Sequence, residues 1–238
     1  MSQPDISHNF KSDNFDNRKA KIEFIILHYT ETDNLAKSVE LLTDNLRKVS
    51  SHYLIDTNGE IYNLVCETKR AWHAGISNWD QMEDINSRSI GIEIVNSGEK
   101  KFANYPKSQI SSLINLLKYL MKKFGISIFN ILGHSDIAPL RKIDPGKFFP
   151  WKELAKKNVA VWIEEKLSNK FLNTSQNQEL IINLREIGYP NLEELKDEKK
   201  IKKVLEAFHR RFLPELIGRV ATSTTLKISY NLLKIKKS

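Results

Sequence analysis

The stretch IEFIILHYT, residues 22–30, is a nearly continuous apolar run that ends in a histidine, a tyrosine and a threonine. A short run of this kind is typical of a β-strand buried on both faces, which occurs in sheets covered by helices. In an α/β sheet, side chains at the end of such a strand leave the core and enter a cleft where ligands bind. The run therefore predicts an α/β fold and makes His28 a candidate site residue.

The segments that follow this run alternate between helical and strand patterns. Apolar residues spaced three and four apart predict helices over 35–49 and 110–124. A third helix, over 151–168, is expected to close the domain. Alternating or short apolar runs predict a hairpin about Asn58-Gly59 and two further strands: 51–65, 89–96 and 126–134. Together these patterns predict a central mixed β-sheet flanked by helices.

The chain is expected to contain a second, smaller unit. Residues 1–20 are polar and predicted to be irregular, and residues 21–168 form the main domain. The polar run 169–179 is interpreted as a linker. Beyond it, residues 180–238 predict a small domain of three helices, too short to bury a large core of their own.

Composition limits the classes of function. The 238 residues carry a net charge of +8, much of it in 199–212 and 232–238, which we interpret as solvated helix faces. No base-reading motif accompanies this charge, so no nucleic-acid partner is predicted, although an anionic polymer such as a bacterial cell wall stays compatible. No apolar run reaches the ~20 residues of a membrane span. The single cysteine, Cys66, excludes a cysteine-rich zinc cluster.

A second histidine follows a predicted strand in the stretch GHSDIAPLRKIDPG, residues 133–146. With His28, the residues His134 and Asp144 offer three ligands for a tetrahedral zinc ion, with the fourth position left to water. Glu93, on the strand SIGIEIVN, is a candidate general base, and Lys142 a candidate oxyanion stabiliser. Each has an ordinary alternative: a buried core histidine, a solvent-facing strand residue or a surface lysine.

Six motifs, taken together, resemble those of a known family and favour the functional interpretation of these residues. HYT, SSHYLID-NGEIY, AWHAG, SIGIEIVN, GHSDIAP-RK-DPG and FPW occur in that order over about residues 20–155. They resemble the zinc-dependent N-acetylmuramoyl-L-alanine amidases of the amidase-2 family, in particular its AmpD/AmiD-like group. The resemblance implies one Zn²⁺ bound by His28, His134 and Asp144, with Glu93 and Lys142 as catalytic residues.

The resemblance also implies a substrate. Such an enzyme hydrolyses the amide bond between N-acetylmuramic acid, including its 1,6-anhydro form, and L-alanine of a peptidoglycan stem peptide. Four residues are predicted to contact this substrate: Trp72, His73, Asn86 and Arg141. The alternative is a peptidoglycan recognition protein without catalysis, which the complete ligand set disfavours. The oligomeric state stays open.

The C-terminal helices carry a second resemblance. LREIGY followed by AFHRRFLP is similar to peptidoglycan-binding domains of the three-helix type. This similarity favours the cell envelope or periplasm as the location. The N-terminus shows no apolar stretch of a secretory signal, which keeps the cytoplasm open as the alternative.

Overall fold

The structure, a computed structural model, describes residues 3–190 and 197–237. Its strands are short, and five of them form the central sheet while β1 and β5 pair separately. The strands are β1 (Phe15–Asn17), β2 (Phe24–Tyr29), β3 (Tyr53–Ile55), β4 (Ile61–Asn63), β5 (Lys69–Ala71), β6 (Ser89–Ile94) and β7 (Ile131–Gly133).

The central sheet has the order β4-β3-β6-β2-β7. The hairpin β3–β4 is antiparallel, whereas β3–β6, β6–β2 and β2–β7 are parallel pairs. The predicted mixed sheet is therefore confirmed. The apolar run 22–30 contains β2, which lies between two parallel neighbours and is buried along almost its whole length.

Helices lie on both sides of this sheet, as predicted. They are α1 (Leu35–Thr43), α2 (Ile85–Arg88), α3 (Lys107–Phe124), α4 (His134–Ile137), α5 (Trp151–Lys156), α6 (Thr174–Ile187), α7 (Glu198–Phe212) and α8 (Ser223–Lys237). Short 3₁₀ turns occupy Glu99–Lys101, Ile128–Asn130 and Pro214–Leu216. Among the described residues, no helix combines the length and apolarity needed to cross a bilayer.

Alternation along β2 divides the core into two layers. Ile25 and Leu27 pack in one cluster with Leu117 of α3. Phe24 and Ile26 face the other side, where they share a single cluster with apolar residues of the C-terminal helices α6, α7 and α8, among them Phe208. The C-terminal helices therefore cover one face of the sheet, which explains how so small a unit is stable.

Several predicted boundaries differ from the structure. The helix expected over 151–168 ends at Lys156, because Asn158 adopts a left-handed conformation and Val159 to Val161 are three consecutive buried residues. Consecutive burial does not fit one face of a helix. The helix expected over 35–49 ends at Thr43, and Leu46 beyond it is 92% exposed.

Other differences arise from polar side chains that bind backbone groups. Ser127 accepts a hydrogen bond from the Phe129 amide, so a 3₁₀ turn replaces the first part of the strand expected over 126–134. Asn173 and Gln176 form a reciprocal capping box that starts α6 at Thr174, inside the segment interpreted as linker. In the N-terminal segment predicted to be irregular, Phe15–Asn17 forms β1 and pairs with β5.

His209 of α7 is a buried histidine that makes the stability of the fold depend on pH. Its Nδ1–H donates to the Leu216 carbonyl at 3.0 Å, and its Nε2 accepts from the Thr225 hydroxyl at 3.1 Å. Burial lowers the pKa of His209 to about 4, with the Leu216 hydrogen bond opposing this shift. The unfolded chain, with a pKa near 6.5, binds the proton more readily, so stability is lost as pH falls below ~6.5.

We expect the free energy of unfolding to fall by about 2 kcal/mol between pH 7 and pH 5 through His209 alone. Urea unfolding at both pH values, for the wild-type protein and His209→Gln, measures this contribution. The fall should be smaller by that amount in the variant. An equal fall in both proteins would show that His209 does not carry the effect.

Candidate active site

The two candidate histidine ligands leave the same edge of the sheet. β2 and β7 are parallel neighbours with Leu27 opposite Gly133. The residues that follow this pair, His28 and His134, therefore lie side by side. Asp144 reaches them from the loop after α4, and the Ser135 amide donates to the Asp144 carbonyl at 2.9 Å. The sheet thus brings together residues that are more than a hundred positions apart.

Three potential ligand atoms form a compact triangle. The two Nδ1 atoms of His28 and His134 are 2.9 Å apart, and each lies 3.0 Å from Asp144 Oδ2. All three residues are buried, and among the described residues they form a group able to hold a metal ion. The three residues predicted as ligands therefore come together.

The hydrogen bonds behind the histidines determine which ring nitrogen carries the proton. His134 Nε2 lies 3.1 Å from the Ala74 carbonyl, which can only accept, so Nε2 carries the hydrogen. Ser89 donates to the Ile85 carbonyl at 2.6 Å and therefore accepts from His73 Nε2 at 3.2 Å. His73 Nδ1 must then accept from His28 Nε2, at 3.0 Å.

This chain of donors leaves both Nδ1 atoms without a hydrogen. Two nitrogen lone pairs and the Asp144 oxygen thus face one another with no proton to share, an arrangement that a cation satisfies. Burial, followed by the neighbouring His134, lowers the pKa of His28 to about 4, so the ring is neutral at pH 7. Neutral imidazole is the form that binds metals, so the donor set fits a zinc ion.

Glu93 lies directly opposite His28 in the register of the parallel strands β6 and β2. It is 8% exposed, and its Oε2 has no hydrogen-bond partner among the described residues. Burial raises the pKa of Glu93 to about 8, Asp144 adds to the rise, and Lys142 opposes it. A buried carboxylate with a free oxygen beside the ligand cluster is placed to exchange a proton with a bound molecule.

Lys142 lies on the loop between two of the candidate ligands, His134 and Asp144. The Lys142 amide donates to the Ala138 carbonyl at 3.0 Å, which closes a tight turn between His134 and Asp144. Its side chain is partly buried, and its charge acts on both Glu93 and His28. The loop therefore brings a cation to the same pocket as the cluster.

Two of the four predicted substrate contacts are buried inside the protein. His73 is 5% exposed with both ring nitrogens bonded, and Asn86 is 5% exposed. Asn86 Oδ1 accepts from the amides of His73 and Ala74 at 3.0 and 2.7 Å. Their positions give no support to a substrate contact, because each is already bonded within the protein.

The other two predicted contacts, Trp72 and Arg141, reach the surface. The Arg141 guanidinium donates to the carbonyls of Ala74 and Ile76. It also lies 3.4 Å from His134 Nε2, so it stands at the rim of the cluster. Both side chains reach the surface, which those of His73 and Asn86 do not, although Nε and Nη2 of Arg141 already donate to backbone carbonyls.

Sequence reasoning missed the supporting role of Ser89 and Gly91. Both lie on β6 at even spacing from Glu93, so they share its face of the strand. A Cβ atom on Gly91 would lie 2.4 Å from His73 Cγ, so glycine is what makes room for that ring. The signal was present in SIGIE as the alternation that places residues 89, 91 and 93 on one face.

The fold and the site define an α/β protein in which three buried residues able to bind a metal ion lie beside a buried carboxylate, an arrangement that suits a metal-dependent hydrolase. Comparison with protein families matches residues 18–147 to Amidase_2, described as N-acetylmuramoyl-L-alanine amidase. This match spans more than half of the chain. The chain belongs to the N-acetylmuramoyl-L-alanine amidase family.

Individual relatives agree with this assignment. The chain is 35% identical over 233 residues to the N-acetylmuramoyl-L-alanine amidase AmiD of Escherichia coli, covering 90% of this chain and 83% of the relative. It is 44% identical over 106 residues to the 1,6-anhydro-N-acetylmuramyl-L-alanine amidase AmpD of Haemophilus influenzae, covering 44% and 56%.

A solved structure also matches almost the whole chain. It is the complex of AmiD from E. coli with the substrate anhydro-N-acetylmuramic acid-L-Ala-D-γ-Glu-L-Lys. The TM-score is 0.82 at 32% identity, and the match covers 91% of each chain. The similarity therefore extends through the C-terminal helices. The predicted resemblance to AmpD/AmiD-like amidases and the predicted fold are both confirmed.

Proposed function

We propose that this protein is a zinc-dependent enzyme that hydrolyses the amide bond between N-acetylmuramic acid and L-alanine of peptidoglycan stem peptides. The observation that carries the proposal is the cluster of His28, His134 and Asp144 with Glu93 directly opposite His28. The AmiD complex supports the choice of bond, because its ligand contains this linkage in the anhydro form. The 1,6-anhydro form is therefore included among the substrates.

The donor set favours zinc among the common metals. Two imidazole nitrogens and one carboxylate are ligands that zinc accepts in tetrahedral sites, whereas Ca²⁺ and Mg²⁺ prefer oxygen ligands. His28, His134 and Asp144 would hold the ion. A zinc ion there would supply Lewis acidity towards the amide carbonyl and towards a water molecule.

Glu93 is assigned the proton transfers. Its unpaired Oε2 can accept a proton from the attacking water, and the same carboxyl group can then donate it to the leaving nitrogen of L-alanine. Lys142 is assigned to the carbonyl oxygen, where its ammonium group would stabilise the negative charge that develops during attack. Both roles use groups that the loop and the strand already direct to the cluster.

A groove of ≈ 500 Å³ runs beside the ligand loop. Its lining is mostly apolar and includes Ile76, Pro139 and Leu140, with Arg141 at its edge. We assign Arg141 to a carboxylate of the stem peptide, because its exposed guanidinium carries a positive charge and charge-assisted hydrogen bonds to carboxylates are strong. Trp72, which is half-buried, is assigned to the apolar surface of the substrate.

The C-terminal helices are proposed to bind peptidoglycan, which agrees with a location in the cell envelope. The residues that carry the resemblance, Phe208 and Phe212 among them, are buried in the core shared with the sheet. Any contact with the wall must therefore use the outer faces of these helices. Removal of the helices would also expose one face of the catalytic sheet.

The first experiment is a cleavage assay with a defined anhydro-muropeptide. Purified protein is incubated with the substrate, with and without a zinc chelator, and the products are identified by mass spectrometry. We expect release of a peptide that begins at L-alanine, loss of release with the chelator, and recovery when zinc is added back. Intact sacculi, tested in parallel, establish whether polymeric wall is also a substrate.

The same assay separates the proposal from its alternative. If neither substrate releases peptide although zinc is bound, the proposed hydrolysis is contradicted. Binding of the muropeptide without cleavage would then favour the recognition protein. A cleavage that the chelator does not affect would contradict the role of the metal.

A further inference from the structure

Two adjacent arginines near the end of α7, Arg210 and Arg211, are buried although the chain around them is basic. They are 9% and 5% exposed, and both point away from solvent towards the catalytic sheet. Each forms an ion pair with a carboxylate of the N-terminal part, Glu99 for Arg210 and Asp136 for Arg211. These two carboxylates in turn bind the two loops that carry His134 and Asp144.

Arg211 supports the segment that begins with His134. Its Nη1 donates to Asp136 Oδ2 at 2.6 Å, and the same oxygen accepts from the Gly133 amide at 2.7 Å. Tyr189, which follows α6, donates its hydroxyl to the other oxygen of Asp136 at 2.7 Å. The Asp136 carboxylate, which caps the first turn around His134, therefore accepts from two donors of the C-terminal part of the chain.

Arg211 is also fixed from other directions. Its Nη2 donates to the Ile131 carbonyl at 3.0 Å, at the start of β7. Its guanidinium lies 4.2 Å from the centre of the Trp151 ring. Arg211 thus contacts β7, which leads to His134, Asp136 of α4, and Trp151 of α5.

Arg210 supports the loop that carries Asp144. Its Nε donates to Glu99 Oε2 at 3.0 Å, and the same oxygen accepts from the Lys147 amide at 2.8 Å. Lys147 lies three residues after Asp144. The Asp144 carbonyl is bonded to the Ser135 amide, so the two loops are also tied to each other.

We propose that Arg210 and Arg211 are positioning residues that hold His134 and Asp144 at metal-binding distance. The C-terminal helices then complete the metal site in addition to covering the sheet. Buried ion pairs contribute little net stability compared with apolar packing, so stability alone does not call for two of them here. A metal site, by contrast, needs its ligands held within ~0.5 Å, which such bonds provide.

This inference rests on the proposed zinc site, and its test measures zinc binding directly. Three variants are compared with the wild-type protein: Arg210→Gln, Arg211→Gln and Lys200→Gln. Lys200 is an exposed residue of the same helix, so its replacement removes the same charge without touching either loop. The measurements are the zinc dissociation constant, by competition with a chromogenic chelator, and the melting temperature of the metal-free protein.

We expect zinc to bind ~10-fold more weakly to each arginine variant, the lower end of the effect typical of outer-shell partners. Lys200→Gln should bind zinc like the wild-type protein. Arg211→Lys, which keeps one donor to Asp136, should recover part of the affinity. A wild-type dissociation constant in folded arginine variants, even with a lower melting temperature, would overturn the inference and leave the arginines a purely structural role.

If Arg211→Gln does not fold, a variant that removes only one hydrogen bond to Asp136 can replace it in the test. Tyr189→Phe removes only the hydroxyl that donates to the other oxygen of Asp136. A measurable loss of zinc affinity in this variant supports the inference, and unchanged affinity contradicts it. If the wild-type protein itself binds no zinc, the proposed function fails first and the inference fails with it.

Discussion

Replacing His134 by alanine is expected to abolish zinc binding and amide hydrolysis together. The ring supplies one corner of the ligand triangle, and its Nε2–H bond to the Ala74 carbonyl is what directs Nδ1 towards the other two ligands. The loss should exceed the ~10–100-fold in metal affinity that removal of an outer-shell partner typically costs. Zinc content by elemental analysis and peptide release by mass spectrometry are the two measurements.

Two further variants make this result specific. His8→Ala removes an exposed histidine and should leave zinc content and activity unchanged. Asp144→Asn keeps the shape of the third ligand but removes its charge, so it should also lose zinc without a large change in packing. A His134→Ala protein that retains one zinc per chain and remains active would contradict the ligand assignment.

Replacing Glu93 by glutamine is expected to separate metal binding from catalysis. The amide has the same shape as the carboxyl group but cannot accept the proton of the attacking water. We therefore expect turnover to fall ~10²–10⁴-fold, the range typical of general acid–base groups, while zinc content stays at the wild-type level. The measurements are kcat on the anhydro-muropeptide and the zinc content of the same preparation.

Stability provides the control for this variant. The pKa of Glu93 is raised to about 8, chiefly by burial, so the folded protein holds this proton more tightly than the unfolded chain, and the side chain costs stability as pH rises from ~4.5 to ~8. Glutamine carries no charge at any pH. The metal-free variant should therefore melt no lower than the wild-type protein at pH 8. Wild-type turnover by Glu93→Gln would remove Glu93 from the mechanism.

The candidate ligands were predictable because strand ends and residue chemistry are both local properties. The apolar run 22–30 places His28 at the end of a buried strand, and GHSD does the same for His134. Asp144 and Lys142 follow on one short loop. The motifs that resemble the amidase-2 family added the roles of these residues, which spacing alone left open.

The surroundings of His73 and of the C-terminal basic run differ from what the local sequence suggested, and for a common reason. AWHAG indicated a substrate contact, yet His73 lies behind His28 because Gly91 leaves space for its ring. The run 199–212 was interpreted as a solvated face, yet Arg210 and Arg211 are buried against carboxylates of the main domain. In both cases the partner is distant in the sequence.

The sequence by itself determined the strand alternation, the mixed sheet and the identity of the donors, since these follow from local periodicity and residue type. The tertiary structure decided which ring nitrogen of His28 and His134 faces Asp144, because that depends on hydrogen bonds to His73 and Ala74. It also decided that the C-terminal helices support the site. Arg211 and Asp136 are 75 residues apart, and only the packing of α7 on the sheet brings them into contact.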